Sequence, residues 1–146
     1  MAEVILSNRM QALTDMVTPG TVITDVGCDH GFVSVYLVQK GISPRVIAMD
    51  VRSGPLEHAR EHIREYGLED RIETRLSDGL HSLKTGEAAG MICAGMGGPL
   101  MEKILTEGRE QAKEFRELIL QPQSEIPHFR AFLMEAVSYT HLTLPT

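Results

Sequence analysis

Thr24-Asp25-Val26-Gly27-Cys28-Asp29-His30-Gly31 is the stretch that decides the fold. An apolar, β-branched run, 21–26, leads into it, and a second apolar run of helical character, 32–40, leads out. The glycines therefore fall at a strand-to-helix turn, where a missing side chain lets backbone approach a ligand closely. A dinucleotide-binding turn would place glycines at 27, 29 and 32. Asp29 and Phe32 hold the second and third of these places, which disfavours an NAD site. Asp25 precedes the first glycine by two residues, and a carboxylate there repels a pyrophosphate but suits a cation.

Reading outward, apolar runs at 21–26, 45–50, 71–76, 89–94 and 117–121 alternate with helical candidates at 32–40, 54–66, 99–113 and 126–135. Four of the runs are rich in Val, Ile or Leu without strict polar alternation, the pattern of strands buried on both faces of a parallel sheet. Leu6, Met10, Leu13 and Val17 recur at helical spacing, so a short helix precedes the first strand and ends at Pro19-Gly20. The expected fold class is α/β: a parallel sheet of about five strands with helices on both faces, joined as βαβ units.

The chain has 146 residues, 42% of them hydrophobic and 23% charged, which is one ordinary globular domain able to bury a core without disulfides. A net charge of −6 argues against a stand-alone nucleic-acid binder held by phosphate neutralisation. Cys28 and Cys93 are far apart and lie in apolar runs, so they read as buried thiols in a reducing compartment. The first residues lack a signal peptide's charge and apolar run, and nothing approaches the roughly 20 apolar residues of a membrane span. A soluble, cytoplasmic protein with no membrane partner is expected. His58, His62, His81 and His128 have no metal-ligand spacing and read as exposed helix residues, so no metal is expected. Arg60, Arg64, Arg71 and Arg75 interleave with Glu57, Glu61, Glu65, Glu69 and Glu73 as a solvated, ion-paired face.

An acid, a glycine two places on and another glycine four beyond that resemble motif I of class I, Rossmann-like methyltransferases. The resemblance implies S-adenosyl-L-methionine as cofactor, its cationic amino end and sulfonium matched to the acid. Asp50, at the end of the second run and followed by Val51, is placed to accept hydrogen bonds from ribose hydroxyls; the alternative is a turn or helix-capping aspartate. Ser77-Asp78-Gly79, after the third run, is either an adenine contact or a plain turn. Expected cofactor contacts are therefore Asp25, Gly27, Cys28, Asp29 and Gly31 in the turn, then Asp50, Val51, Ser77, Asp78, Gly79, Ala94 and Gly95. All follow strand ends and so share the carboxyl edge of the sheet.

The fourth run ends Ala94-Gly95-Met96-Gly97-Gly98. With Leu6-Ser7-Asn8-Arg9-Met10, the turn at 25–30, and Leu118-Ile-Leu-Gln-Pro122, it resembles the bacterial TrmK family, which methylates N1 of adenine 22 in tRNA. The likeness runs from about Leu6 to Glu135. It implies tRNA as partner, with Arg9, Met96, Gly97 and Gly98 as substrate contacts; the glycines alternatively serve only to close the turn. Asp29 is a candidate to accept a bond from the base's 6-amino group or take its proton, and His30 to orient the base or Asp29. Alternatively Asp29 holds the cofactor's amino end and His30 is an exposed neighbour of the helix start. Family members continue into two more strands and a helical domain thought to grip tRNA. Val137-Ser-Tyr-Thr-His-Leu-Thr-Leu-Pro-Thr146 departs from the helical pattern and resembles a translated sequencing adapter, so residues 1–135 are expected to be an incomplete methyltransferase domain and 137–146 a non-native tail. The rival readings are a methyltransferase with another acceptor and a non-catalytic cofactor-binding module.

Overall fold

The computed structural model describes residues 3–140, with side chains to 136. Helix α1, Asn8–Asp15, starts where the Ser7 hydroxyl accepts the Met10 amide, satisfying one orphan N–H of the first turn. There follow β1 (Ile23–Val26), α2 (Phe32–Gln39), β2 (Val46–Asp50), α3 (Ser53–Glu65), β3 (Ile72–Leu76), β4 (Gly90–Met96), α4 (Gly98–Glu107), α5 (Arg109–Ala112), β5 (Glu117–Pro122) and α6 (Ile126–Thr140). All strand pairings are parallel, in the order β3-β2-β1-β4-β5. The chain walks outward from β1 to β3, then crosses to β4 on the other side. That reversal between β1 and β4 opens a crevice at the carboxyl ends of the strands.

Strand period two sorts the core into two halves. Ile23, Val46, Ala48, Ile72, Ile92 and Ile119 pack with buried residues of α1, α2 and α3. Val26, Ile47, Met49, Met91, Cys93 and Leu118 point the other way, toward α4, α5 and α6. Each fully buried branched or thioether side chain contributes about 1.5–3 kcal/mol. These two apolar layers hold the strand tips in fixed relation. Helix α2 buries its centre, Ser34, Val35, Tyr36, Leu37 and Val38, and leaves Phe32 at its start exposed.

Three elements differ from expectation. The helix expected over 99–113 is broken at Gly108, whose backbone packs so close to Leu80 that a Cβ would lie 2.6 Å from its Cδ1. Strand β4 runs two residues beyond 94, with a register irregularity between Ala94 and Met96 and Gly95 at φ +81°. Helix α6 continues past 135 to Thr140. The remainder of the expected tail, 141–146, lies outside the described residues.

Candidate active site

The crevice at the switch point is a cavity of about 660 Å³, and Asp25, Asp50 and Asp78 all line it. These carboxylates come from the ends of β1, β2 and β3. Parallel register sets two of them: Val26 pairs with Met49, and Asp50 with Leu76, so the strand tips finish together.

Asp50 is 2% exposed and saturated with donors. Its Oδ2 accepts the Asp29 amide at 3.0 Å and Arg52 Nη2 at 3.2 Å; its Oδ1 accepts the Arg52 amide at 2.9 Å and Nε at 3.1 Å. Burial by itself would push this carboxyl up, but the bonds from Arg52 and from the Asp29 amide outweigh it and hold it below its ordinary value. Asp25, 6% exposed, is the opposite case. Among the described residues its Oδ2 accepts the Ser34 hydroxyl alone, at 2.8 Å; burial, reinforced by the charges of Asp50 and Asp29, pushes it up to about 7. Both cysteines are buried and free. Burial and then the charge of Asp25 raise the Cys93 thiol to about 12, and the Cys28 thiol is raised by burial and then by Asp25, Asp50 and Asp29, so neither is a ready nucleophile.

The glycine turn folds over the tip of β2. The amides of Gly27 and Cys28 both donate to the Met49 carbonyl, that of Asp29 to Asp50, and that of Gly31 to the Cys28 carbonyl. Gly27 sits at φ +75° and Asp29 at +53°, the left-handed region. Four amides of the turn, those of Gly27, Cys28, Asp29 and Gly31, are thus already engaged within the protein. The donor set of three carboxylates, the apolar walls and the cavity volume fit a ribose-bearing cation such as S-adenosylmethionine.

Of the residues expected at the site, Asp25, Gly27, Cys28, Asp29, His30, Asp50, Val51, Ser77, Asp78, Gly79, Ala94, Gly95 and Met96 line the cavity. Gly31, Arg9, Gly97 and Gly98 are not among its lining residues. Gly31 permits a close approach of helices instead: a Cβ there, at φ +80°, would lie 3.0 Å from the Cβ of Ala59 in α3. Gly97 and Gly98 abut Ser124 in the turn that follows β5, which favours the turn-closing alternative for that pair.

The sequence pattern missed one whole wall. Ile5, Leu6, Ser7, Met10 and Leu13 of the N-terminal segment line the cavity, with Phe32, Val33, Arg52, Ile92, Leu100 and Ile104. Leu6, Met10 and Leu13 were legible as an apolar stripe, but a stripe does not say whether it faces core or cleft. Nor are His58 and His62 simply exposed helix residues. His62 is half-buried with Nδ1 2.8 Å from the His30 carbonyl oxygen, and the His58 ring stacks on His30. The ion-paired face is present in part: Arg60 pairs with Glu57, and Arg75 with Glu73 and Glu87. Among the described residues, no cluster of His, Cys, Asp or Glu is placed to hold a metal ion, and no helix is long and apolar enough to cross a membrane.

A five-stranded parallel sheet of this order, with an acidic cleft at its switch point, defines a Rossmann-like methyltransferase fold. The chain belongs to the methyltransferase-domain family, whose model matches residues 6–140. Among its relatives is the tRNA (adenine(22)-N(1))-methyltransferase of Bacillus subtilis, 35% identical over 133 residues. That match covers 91% of this chain and 56% of the enzyme. A Streptococcus pneumoniae protein solved with S-adenosyl-L-methionine superposes with a TM-score of 0.86 at 32% identity, over 90% of this chain and 62% of its own. Mycoplasma capricolum TrmK bound to S-adenosyl-homocysteine gives 0.80 at 27%, over 92% and 58%. The chain thus spans little more than half the length of these relatives.

Proposed function

We propose that the protein transfers a methyl group from S-adenosylmethionine to N1 of adenine 22 in tRNA, this chain supplying the cofactor-binding part. The observation that carries the reading is the convergence of Asp25, Asp50 and Asp78 on one cavity beside the glycine turn. In this reading Asp50 and Val51 hold the ribose, Ser77, Asp78 and Gly79 the adenine ring, and Asp25 with Gly27 and Cys28 the amino-acid end. Gly31 acts indirectly, by setting the start of α2. Ala94 and Gly95 form the thin wall behind the sulfur.

Bound S-adenosylmethionine supplies an electrophilic methyl group on a sulfonium sulfur. Adenine N1 carries a free lone pair at neutral pH, so no base is needed before attack. The protein's task is orientation and exclusion of water. Asp29 is suited to the acceptor side: its carboxylate is 59% exposed at the cleft, while its backbone is pinned by Asp50. There it accepts a hydrogen bond from the 6-amino group and takes its proton after methylation. His30 Nε2, 3.8 Å from Asp29 Oδ1, orients that carboxylate. Met96 lies against the base face, Arg9 reaches the RNA from α1, and Gly97 with Gly98 shape the turn behind it. The main grip on tRNA, in this proposal, comes from a helical C-terminal region like that of the family, and the setting is the cytoplasm. Residues 137–146 are proposed to be non-native.

Incubation with unmodified tRNA and S-adenosylmethionine, followed by nucleoside analysis, is expected to yield 1-methyladenosine. Methylation of a different acceptor overturns the tRNA assignment. Tight S-adenosylhomocysteine binding with no transfer by a chain of the relatives' length makes the domain a non-catalytic module.

A further inference from the structure

The cofactor reading leaves four rings at the cleft's rim unused. His30 stacks on His58 with centroids 5.0 Å apart and planes 18° from parallel, and Phe32 stacks on His62 at 4.4 Å and 28°. His30 and Phe32 are themselves 6.3 Å apart at 29°. Two contacts of His30 fix the assembly to α3, through His58 Nδ1 at 3.2 Å from its own Nδ1 and through His62 Nδ1 on its carbonyl. His30 and Phe32 line the cavity, whereas His58 lies outside it, so the rings run from the cleft mouth onto the outer side of α3. Phe32 is 39% exposed and His58 is exposed as well.

At the inner end lie Asp29, against His30 Nε2, and Arg52, 3.6 Å from the same carboxylate, and on α3 the exposed Glu57 and Glu61 precede His58 and His62 in the chain. The three histidines are not placed as a metal cluster. What this rim offers is π-surface with a carboxylate and a guanidinium at its inner end. A base held in the cleft has to be splayed from its stack, and the bases beside it then lose their own stacking partner. Aromatic and imidazole faces replace such stacking for any base, because every base has a π-face. We propose that the rim formed by His30, His58, Phe32 and His62 receives the unpaired nucleobase next to the target adenine. This rests on the RNA-methylating function proposed above.

His58 is the position to test, since its replacement leaves the cavity lining intact. Affinity for an unmodified tRNA transcript is measured by fluorescence anisotropy, with S-adenosylhomocysteine affinity measured calorimetrically in parallel. The expected result is about tenfold weaker RNA binding for His58→Ala, restored to within about twofold by His58→Phe, with unchanged S-adenosylhomocysteine affinity. Transcripts made abasic on the 5′ or the 3′ side of the target adenine complete the cycle; on one of them wild type and His58→Ala bind equally. Equal binding of wild type and His58→Ala to the intact transcript overturns the proposal. So does a His58→Phe as weak as alanine, or a penalty that persists on both abasic transcripts. In those cases retained S-adenosylhomocysteine binding leaves the methyltransferase reading standing. A wild-type chain that binds neither ligand overturns that reading too.

Discussion

The β1–β2 wall of the cleft is polar, buried and already hydrogen-bonded, whereas the β4 wall is small, largely apolar and partly open. Asp25 and Asp50 are sealed among Ser34, Arg52 and the turn amides. Across from them Ala94 is half-buried, Gly95 exposed, and Met96 leans toward Gly27 so closely that a Cβ there would lie 2.8 Å from its Cε. The first wall recognises by charge and hydrogen bonds, so losing one group leaves its buried partners unsatisfied. The second recognises by shape, so its failures come through backbone and volume. Even within the polar wall the two carboxylates differ: one is held charged by donors, the other is pushed toward neutrality by burial.

The largest test of that contrast is Asp50→Ala. It strips the acceptor from the Asp29 amide and from Arg52 as well as from the ligand, so S-adenosylhomocysteine affinity should fall about 100-fold or more, roughly 3 kcal/mol by calorimetry. An unchanged affinity would show that the wall does not bind by its carboxylates.

Asp25→Asn comes next, through pH. The native state holds this proton from the ordinary value of 3.8 up to about 7. Its stabilising contribution is therefore complete below about pH 4 and is lost as pH rises through 7. Denaturant titrations should find Asp25→Asn more stable than wild type at pH 8, on the order of 2 kcal/mol, with the gap closing toward pH 5. Asp50, shifted down, works in the other direction, its contribution present above the ordinary value and lost only in acid.

Just behind the opposite wall, where β4 turns into α4, Gly98→Ala should destabilise by about 1–2 kcal/mol more than Gly97→Ala in thermal melts. A Cβ at 98 meets the Ser124 carbonyl at 2.7 Å, which is backbone and cannot turn aside. At 97 it meets the Ser124 hydroxyl, which can rotate away. Equal melting temperatures would mean the turn after β5 yields easily. The smallest effect belongs to Arg52→Gln. The guanidinium is 60% exposed, so its pair with Asp50 is screened and worth below about 1 kcal/mol. In the proposed reading, removing it frees Asp50 acceptors for the ribose, and S-adenosylhomocysteine should bind about threefold tighter; weaker binding would make Arg52 a ligand contact rather than a competitor.

Local chemistry fixed most of the frame. Runs of Val, Ile and Leu without polar alternation become strands buried on both faces because nothing else shields them; Asp25 and Asp50 fall in the last residues of β1 and β2, and Gly27 and Asp78 in the turns that follow β1 and β3. What chain order could not convey is which surfaces meet. Gly31 read as a ligand contact and the Gly97–Gly98 pair as either a ligand contact or a turn closure, since a glycine looks the same whether a ligand or Ala59 or Ser124 faces the space left by its missing side chain. Leu6, Met10 and Leu13 read only as a helical stripe, and such a stripe carries no label for what it covers: here it packs on the core and also lines the cleft. His58 and His62 gained their neighbours only when α3 was laid against the glycine turn, nearly thirty residues away in sequence. Periodicity and turn chemistry act over a few residues and are written in order along the chain. Packing acts through space, and only the closed structure decided it.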